Sequence, residues 1–172
     1  MLREIAFKYL REHQARAGET IQIGWHVLRI TDGAEGLDVE SLDFLQMASF
    51  TTDFRIADLI RLAQEDTLHR QAVEAEDSNL MQSAVVSRSY LPLSPFAFIE
   101  RSTAANGHDS GWYVGMTEEP LNLEDSDSFV LRSLYELTIH DERLAPWWLM
   151  PVGCRILLSG EEPTVTKVNA CA

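Results

Sequence analysis

NGHDSGWYVG, residues 106–115, sets His108, Asp109 and Ser110 side by side. These are the three side chains of a serine-hydrolase triad, so the stretch reads either as a compressed active site or as a turn entering a strand. A triad needs nucleophile, base and orienting acid converging from separate elements, because adjacent side chains on an extended chain point to opposite faces. The nucleophile elbow Gly-x-Ser-x-Gly is also missing, since His108 stands two residues before Ser110. Asn106-Gly107 and Ser110-Gly111 are turn signals instead. The stretch is therefore a loop feeding a strand, and the second half of the chain reads as sheet.

Working outward, strand-like pieces with turn signals between them cover 84–88, 96–101, 111–115, 129–139, 154–158 and 164–168. In 129–139, Phe129, Leu131, Tyr135, Leu137 and Ile139 fall on every second position, with Ser133 the exception. That alternation predicts a strand, on which Glu136 and His140 would stand roughly 13 Å apart and could not share a metal ion. Residues 142–150, limited by Pro146, read as a short helix.

In the first half, Leu2, Ile5, Ala6, Tyr9 and Leu10 share a face at helical spacing. Glu4/Lys8 and Glu12/Arg16 are favourable i,i+4 pairs, and Gly18 is a stop, so a helix is predicted over 2–17. His13 continues its stripe as a packed, hydrogen-bonded residue. Ile21, Ile23, Trp25 and Val27 then alternate with polar residues, a turn follows at 32–36, and alternation resumes from Leu37 and Val39. This predicts a β-hairpin with His26 at its surface or between strands. Thr52 or Asp53 caps a second helix over 52–73, whose apolar stripe is Ile56, Leu59, Ile60 and Ala63. The acidic patch 74–79 ends it.

The expected fold is α+β: an N-terminal helix, hairpin and helix packed with a mostly antiparallel C-terminal sheet. Residues 1–80 form an N-terminal region, either an extension of the same domain or a second module, and 81–172 form the sheet domain. The connection near residue 77 is short and Leu80-Met81 resumes apolar sequence at once, so the halves are expected to share a core.

Fourteen basic against 27 acidic residues give a formal charge of −13 on a 172-residue chain. Such a surface repels nucleic-acid phosphate and anionic lipid and attracts cationic partners, and it is also a common route to solubility. The N-terminus is too charged for a secretory signal and no run is long enough to span a membrane. Cys154 and Cys171 make neither a disulfide framework nor a metal spacing. A cytoplasmic protein is expected.

No paired-histidine or Cys-x-x-Cys spacing and no phosphate-cradling glycine motif occurs, so neither metal, cofactor nor nucleic acid is expected. What remains is the run of Glu118, Glu119, Glu124, Asp125 and Asp127, which has no basic residue among them and comes after Trp112-Tyr113. It reads as a solvated loop or as an acidic rim that steers a cationic partner. The candidate partner-binding residues are Asp109, Trp112, Glu118, Glu119, Glu124, Asp125 and Asp127; Trp112 reads alternatively as a core ring.

Ser87-Arg88, Asp109-Ser110-Gly111-Trp112, Gly115, Glu118, Ser133-Leu134-Tyr135-Glu136 and Pro151-Val152-Gly153 occur in an order that resembles family thirty-three of the bacterial polymorphic-toxin immunity proteins, over about residues 81–168. The resemblance implies a small cytoplasmic α+β domain that binds and neutralises a cognate toxin without catalysis. It carries over no catalytic residue. The competing classes are a small hydrolase using Ser110, Asp109 or His140 with distant partners, and a regulatory binding module unrelated to toxins.

Overall fold

The N-terminal helix α1, Leu2–Glu12, buries Leu2 and Ala6 and turns its charged residues outward, as its 3.6-residue period dictates. It is shorter than the predicted 2–17. His13 leaves the helix in extended conformation, stacking on the Tyr9 ring at 4.0 Å, so it is hydrogen-bonded to Tyr9 but exposed. These positions come from a computed structural model of the chain, in which residues 1–117, 126–159 and 162–167 are described.

Strands β1 Thr20–Ile23, β2 His26–Gly33, β3 Gly36–Leu42 and β4 Phe50–Thr51 form an antiparallel meander in that order. The expected hairpin is there, with a second tight turn before it. Gly24 has φ +57, and Gly24-Trp25 closes a two-residue turn with Ile23 facing His26. Only glycine takes the first position of such a turn without strain. The turn inverts the phase of β2, because cross-strand partners share a face of the sheet. His26, Leu28 and Ile30 therefore join Ile21 on the buried face, and His26 is 1% exposed, not a surface residue.

Helix α2, Arg55–Gln71, starts later than predicted, with Phe54 at its N-cap, while Asp53 accepts the Arg55 amide at 3.1 Å. Its rotation also differs from expectation. Ala57, Asp58, Gln64 and Thr67 are buried, whereas Leu59 of the apolar stripe is 64% exposed. Specific polar bonds set this rotation. The carboxylate of Asp58 accepts the Leu2 amide at 2.8 Å and the Gln64 side chain donates to Ala145 O at 3.0 Å, and each would be costly to leave unmet in the interior.

The second sheet contains β5 Ser83–Ser87, β6 Ala97–Arg101, β7 Asp109–Met116, β8 Phe129–Ser133, β9 Cys154–Leu157 and β10 Thr164–Lys167, in the order β10-β9-β6-β7-β5-β8. Every pairing is antiparallel except β5 with β7, which is parallel. The predicted strand over 129–139 stops at Ser133, where helix α3, Leu134–His140, begins. Ser133 caps it by accepting the Glu136 amide at 3.1 Å. Leu134, Leu137 and Thr138 then fall on one buried face, so the apolar residues of 134–139 satisfy a helical period that the alternation concealed. The short helix expected over 142–150 is a 3₁₀ helix, Glu142–Trp147.

One cluster of buried apolar residues includes Leu2, Leu28 and Phe54 from the first half and Trp112, Trp148 and Ile156 from the second. Hydrogen bonds cross between the halves as well. Leu80 N donates to Trp25 O at 3.0 Å, and the Tyr135 hydroxyl donates to Asp43 O at 2.6 Å. The fully buried Arg101 binds the segment near residue 77 from inside, donating to Asp77 O and Met150 O at 2.8 Å each. Among the described residues, no helix is long and apolar enough to cross a membrane.

Candidate partner-binding face

The six-stranded sheet buries one face against the core through Ala84, Val86, Ile99, Trp112, Val114 and Ile156. Strand alternation sends Val85, Phe98, Glu100, Tyr113, Leu131 and Arg155 to the other face. Along it the rings of Phe98, Tyr113 and Phe129 stand in a row, with centroids 5.6 Å and 6.1 Å apart. Arg155 lies 4.7 Å over the Phe98 ring and pairs with Glu100 at 2.5 Å. Leu131 is 68% exposed beside Val85.

A cleft of about 440 Å³ opens in this face, lined by Val85, Glu100, Thr103, Asp109, Tyr113 and Arg155 among others. Its floor depends on Gly111. That residue has φ +75, and a Cβ there would stand 1.9 Å from Thr103 O, so the backbone crosses at a distance only glycine permits. Asp109 is exposed at the rim, and its carboxylate accepts the Gly111 amide at 2.8 Å.

Trp112 points to the opposite side. It is 1% exposed, its indole N–H donates to Trp148 O at 3.2 Å, and the two rings meet edge to face at 5.4 Å. It supports the face from within the core. Asp127 is exposed in a 3₁₀ turn, Ser126–Ser128, just before β8. Glu118, Glu119, Glu124 and Asp125 lie outside the described residues.

The residues of the hydrolase alternative do not converge. Ser110 is fully buried, its hydroxyl donating to Ser83 O at 2.8 Å and accepting the Trp112 amide at 3.3 Å. His140 is exposed and lines a different cleft, of about 390 Å³, with Arg88, Tyr90, Arg132 and Glu136. Glu136 and His140 share a face of α3, which removes the distance argument against joint ligation. Glu136 is paired with Arg132 at 3.4 Å. Among the described residues no group of three or more His, Cys, Asp or Glu is placed to hold a metal ion.

A buried network beside this second cleft was not visible in the sequence. Asp141 accepts the Tyr90 hydroxyl at 2.8 Å and the Leu93 amide at 2.9 Å, and pairs with Arg143 at 2.7 Å. Burial alone would raise its pKa, but the bonds from Arg143, Leu93 and Tyr90 outweigh it and hold the carboxyl below the usual range. Burial, then the Asp141 charge, pushes the Tyr90 hydroxyl up, and burial raises the Cys154 thiol to about 11. These groups are locked in structural roles. The aromatic row was missed for another reason: Phe98, Tyr113 and Phe129 lie on three strands whose adjacency no local pattern reveals.

In comparison with known proteins, the family model described as the Imm33-like domain matches residues 63–168. That span begins inside α2, ahead of the start near residue 81 that the resemblance gave. No curated protein and no solved structure matches the chain.

Proposed function

Because the chain belongs to the Imm33-like domain family, we propose that it is an immunity protein that binds a cognate bacterial toxin and neutralises it without catalysing a reaction. The observation that carries this reading is the open face of the second sheet. It presents the exposed side chains of Val85 and Leu131 beside the half-buried rings of Tyr113 and Phe129, which rest on the buried Phe98, and an apolar face of that kind suits a macromolecular partner. Ser110, Asp109 and His140, the residues a hydrolase would need, point to separate places.

The net charge of −13 favours a basic toxin domain, whose approach it would accelerate. In this reading Asp109, Asp127 and the run of Glu118, Glu119, Glu124 and Asp125 supply the acidic rim, and Trp112 holds the face in place from below. The protein acts in the cytoplasm of the toxin's producer.

Kinetics against a toxin domain co-purified with the chain from its native host test the proposal. Replacing Glu118, Glu119, Glu124 and Asp125 together with Gln and Asn is expected to slow association about tenfold or more at low salt and to flatten its salt dependence, since exposed charges act mainly on the on-rate. An unchanged on-rate would remove the acidic rim from the account. Absence of any binding by the wild-type chain would remove the function itself.

A further inference from the structure

The geometry points to the outer edge of β8 as the docking site for an extended, cationic strand of the toxin, an inference that rests on the neutralising function proposed above. The hydrogen-bond phase of the edge carries it. Val86 faces Val130 and Ala84 faces Arg132 across β5 and β8. The bonds that bracket this ladder, Arg88 N to Ser128 O at 2.9 Å and Leu134 N to Gln82 O at 2.8 Å, set which pairs are bonded. Bonded and non-bonded pairs alternate in an antiparallel ladder. Val130 and Arg132 therefore turn their backbone groups to β5, while Phe129 and Leu131 turn theirs outward. Among the described residues no strand pairs with that edge.

Natural sheets blunt such edges with proline, lysine, bulges or a covering element. The β8 sequence, FVLRS, carries no proline, glycine or lysine, and Arg132 is drawn to the other face by Glu136. The opposite edge of the same sheet, β10, reads TVTK and ends in Lys167. Leu131 both turns its amide outward and exposes 68% of its surface, with Val85 beside it. An incoming strand thus finds backbone partners and an apolar ledge at the same position, the combination that strand addition uses.

Charge selects the occupant. Pairing two copies at this edge would bring together two chains of −13 each, and the stretch that leads into β8, residues 118–127, holds five acidic and no basic residues. A strand carrying Lys or Arg meets the opposite field.

Leu131→Pro removes the outward N–H together with the Leu131 ledge while sparing the ladder to β5, since proline is accepted in edge strands where the N–H faces away from the ladder, and Leu131→Thr removes the ledge alone. With the toxin domain co-purified with the chain from its native host as the probe, this variant is expected to bind roughly tenfold more weakly or worse, mainly through faster dissociation. Leu131→Thr, which keeps the amide, should lose less. Hydrogen exchange on the wild-type protein gives an independent readout that decides even if Leu131→Pro does not fold. The Phe129 and Leu131 amides are expected to exchange freely in the isolated chain and to be protected in the complex.

Wild-type affinity in Leu131→Pro, or amides left unprotected in the complex, would overturn the edge assignment while leaving the neutralising function standing. Failure of the wild-type chain to bind the toxin domain overturns both. Dimerisation of the free chain that Leu131→Pro abolishes would make a second copy the occupant and overturn the cationic strand.

Discussion

The hydroxyl of Ser110 donates to the carbonyl oxygen of Ser83 at 2.8 Å, joining the first turn of β7 to the start of β5. The register of this parallel pair shifts between Ser83 and Val85, and the serine side chain bonds across the two strands at that irregularity. Ser110→Ala is expected to cost about 1–2 kcal/mol, the value of a buried hydrogen bond and its orphaned acceptor. Toxin neutralisation should persist. Urea denaturation and a protection assay in toxin-exposed cells check both halves, and loss of protection in a folded Ser110→Ala protein would revive the hydrolase alternative.

Trp112 fills the core between Arg101 and Trp148. Trp112→Ala is expected to destabilise the protein by about 3–5 kcal/mol. If the ring acts only from inside, affinity for the toxin falls no further than the folded fraction does. Titration at a temperature where the variant is fully folded separates the two effects.

Acid should weaken the fold through His26. Both ring nitrogens lack a hydrogen-bond partner, and burial, against the opposing Asp58 charge and with a smaller contribution from Arg61, lowers its pKa from 6.5 to about 4. The neutral ring is favoured in the folded state, so the unfolded chain binds more protons between these two values. Stability contributed by this site is complete above pH 6.5 and is lost as pH falls toward 4, by on the order of 3 kcal/mol. Unfolding free energies measured from pH 7 to 4 should show a shallower decline in His26→Leu than in the wild type.

Arg101 offers a test of how the two halves are joined. Its guanidinium caps Asp77 O and Met150 O, with Glu76 O at 3.4 Å. Arg101→Met leaves these carbonyls without their donor and is expected to cost about 3 kcal/mol or more. Limited proteolysis should then cut near residue 77 in the variant before the wild type. We expect neither resulting half to remain folded alone, and recovery of two stable fragments would instead divide the chain at that point.

The sequence by itself determined the α+β class, the turn at 106–111, the positions of five of the six strands in the second sheet, and the family resemblance. Each of these is written in local signals: alternation, turn residues and the order of short motifs. For Trp112 the sequence left open a partner-binding anchor or a core ring, and the folded chain buries it. Tertiary structure decided the rest. His26 moved to the core because the Gly24-Trp25 turn inverted the strand phase. α2 rotated because Asp58 and Gln64 found partners 56 and 81 residues away in the chain. The strand over 129–139 became a strand and a helix because Ser133 could cap and Leu134, Leu137 and Thr138 had a core to enter. Periodicity specifies which residues of one element share a face, whereas the partner that face meets is a property of pairs of elements, and only the folded chain brings those pairs together.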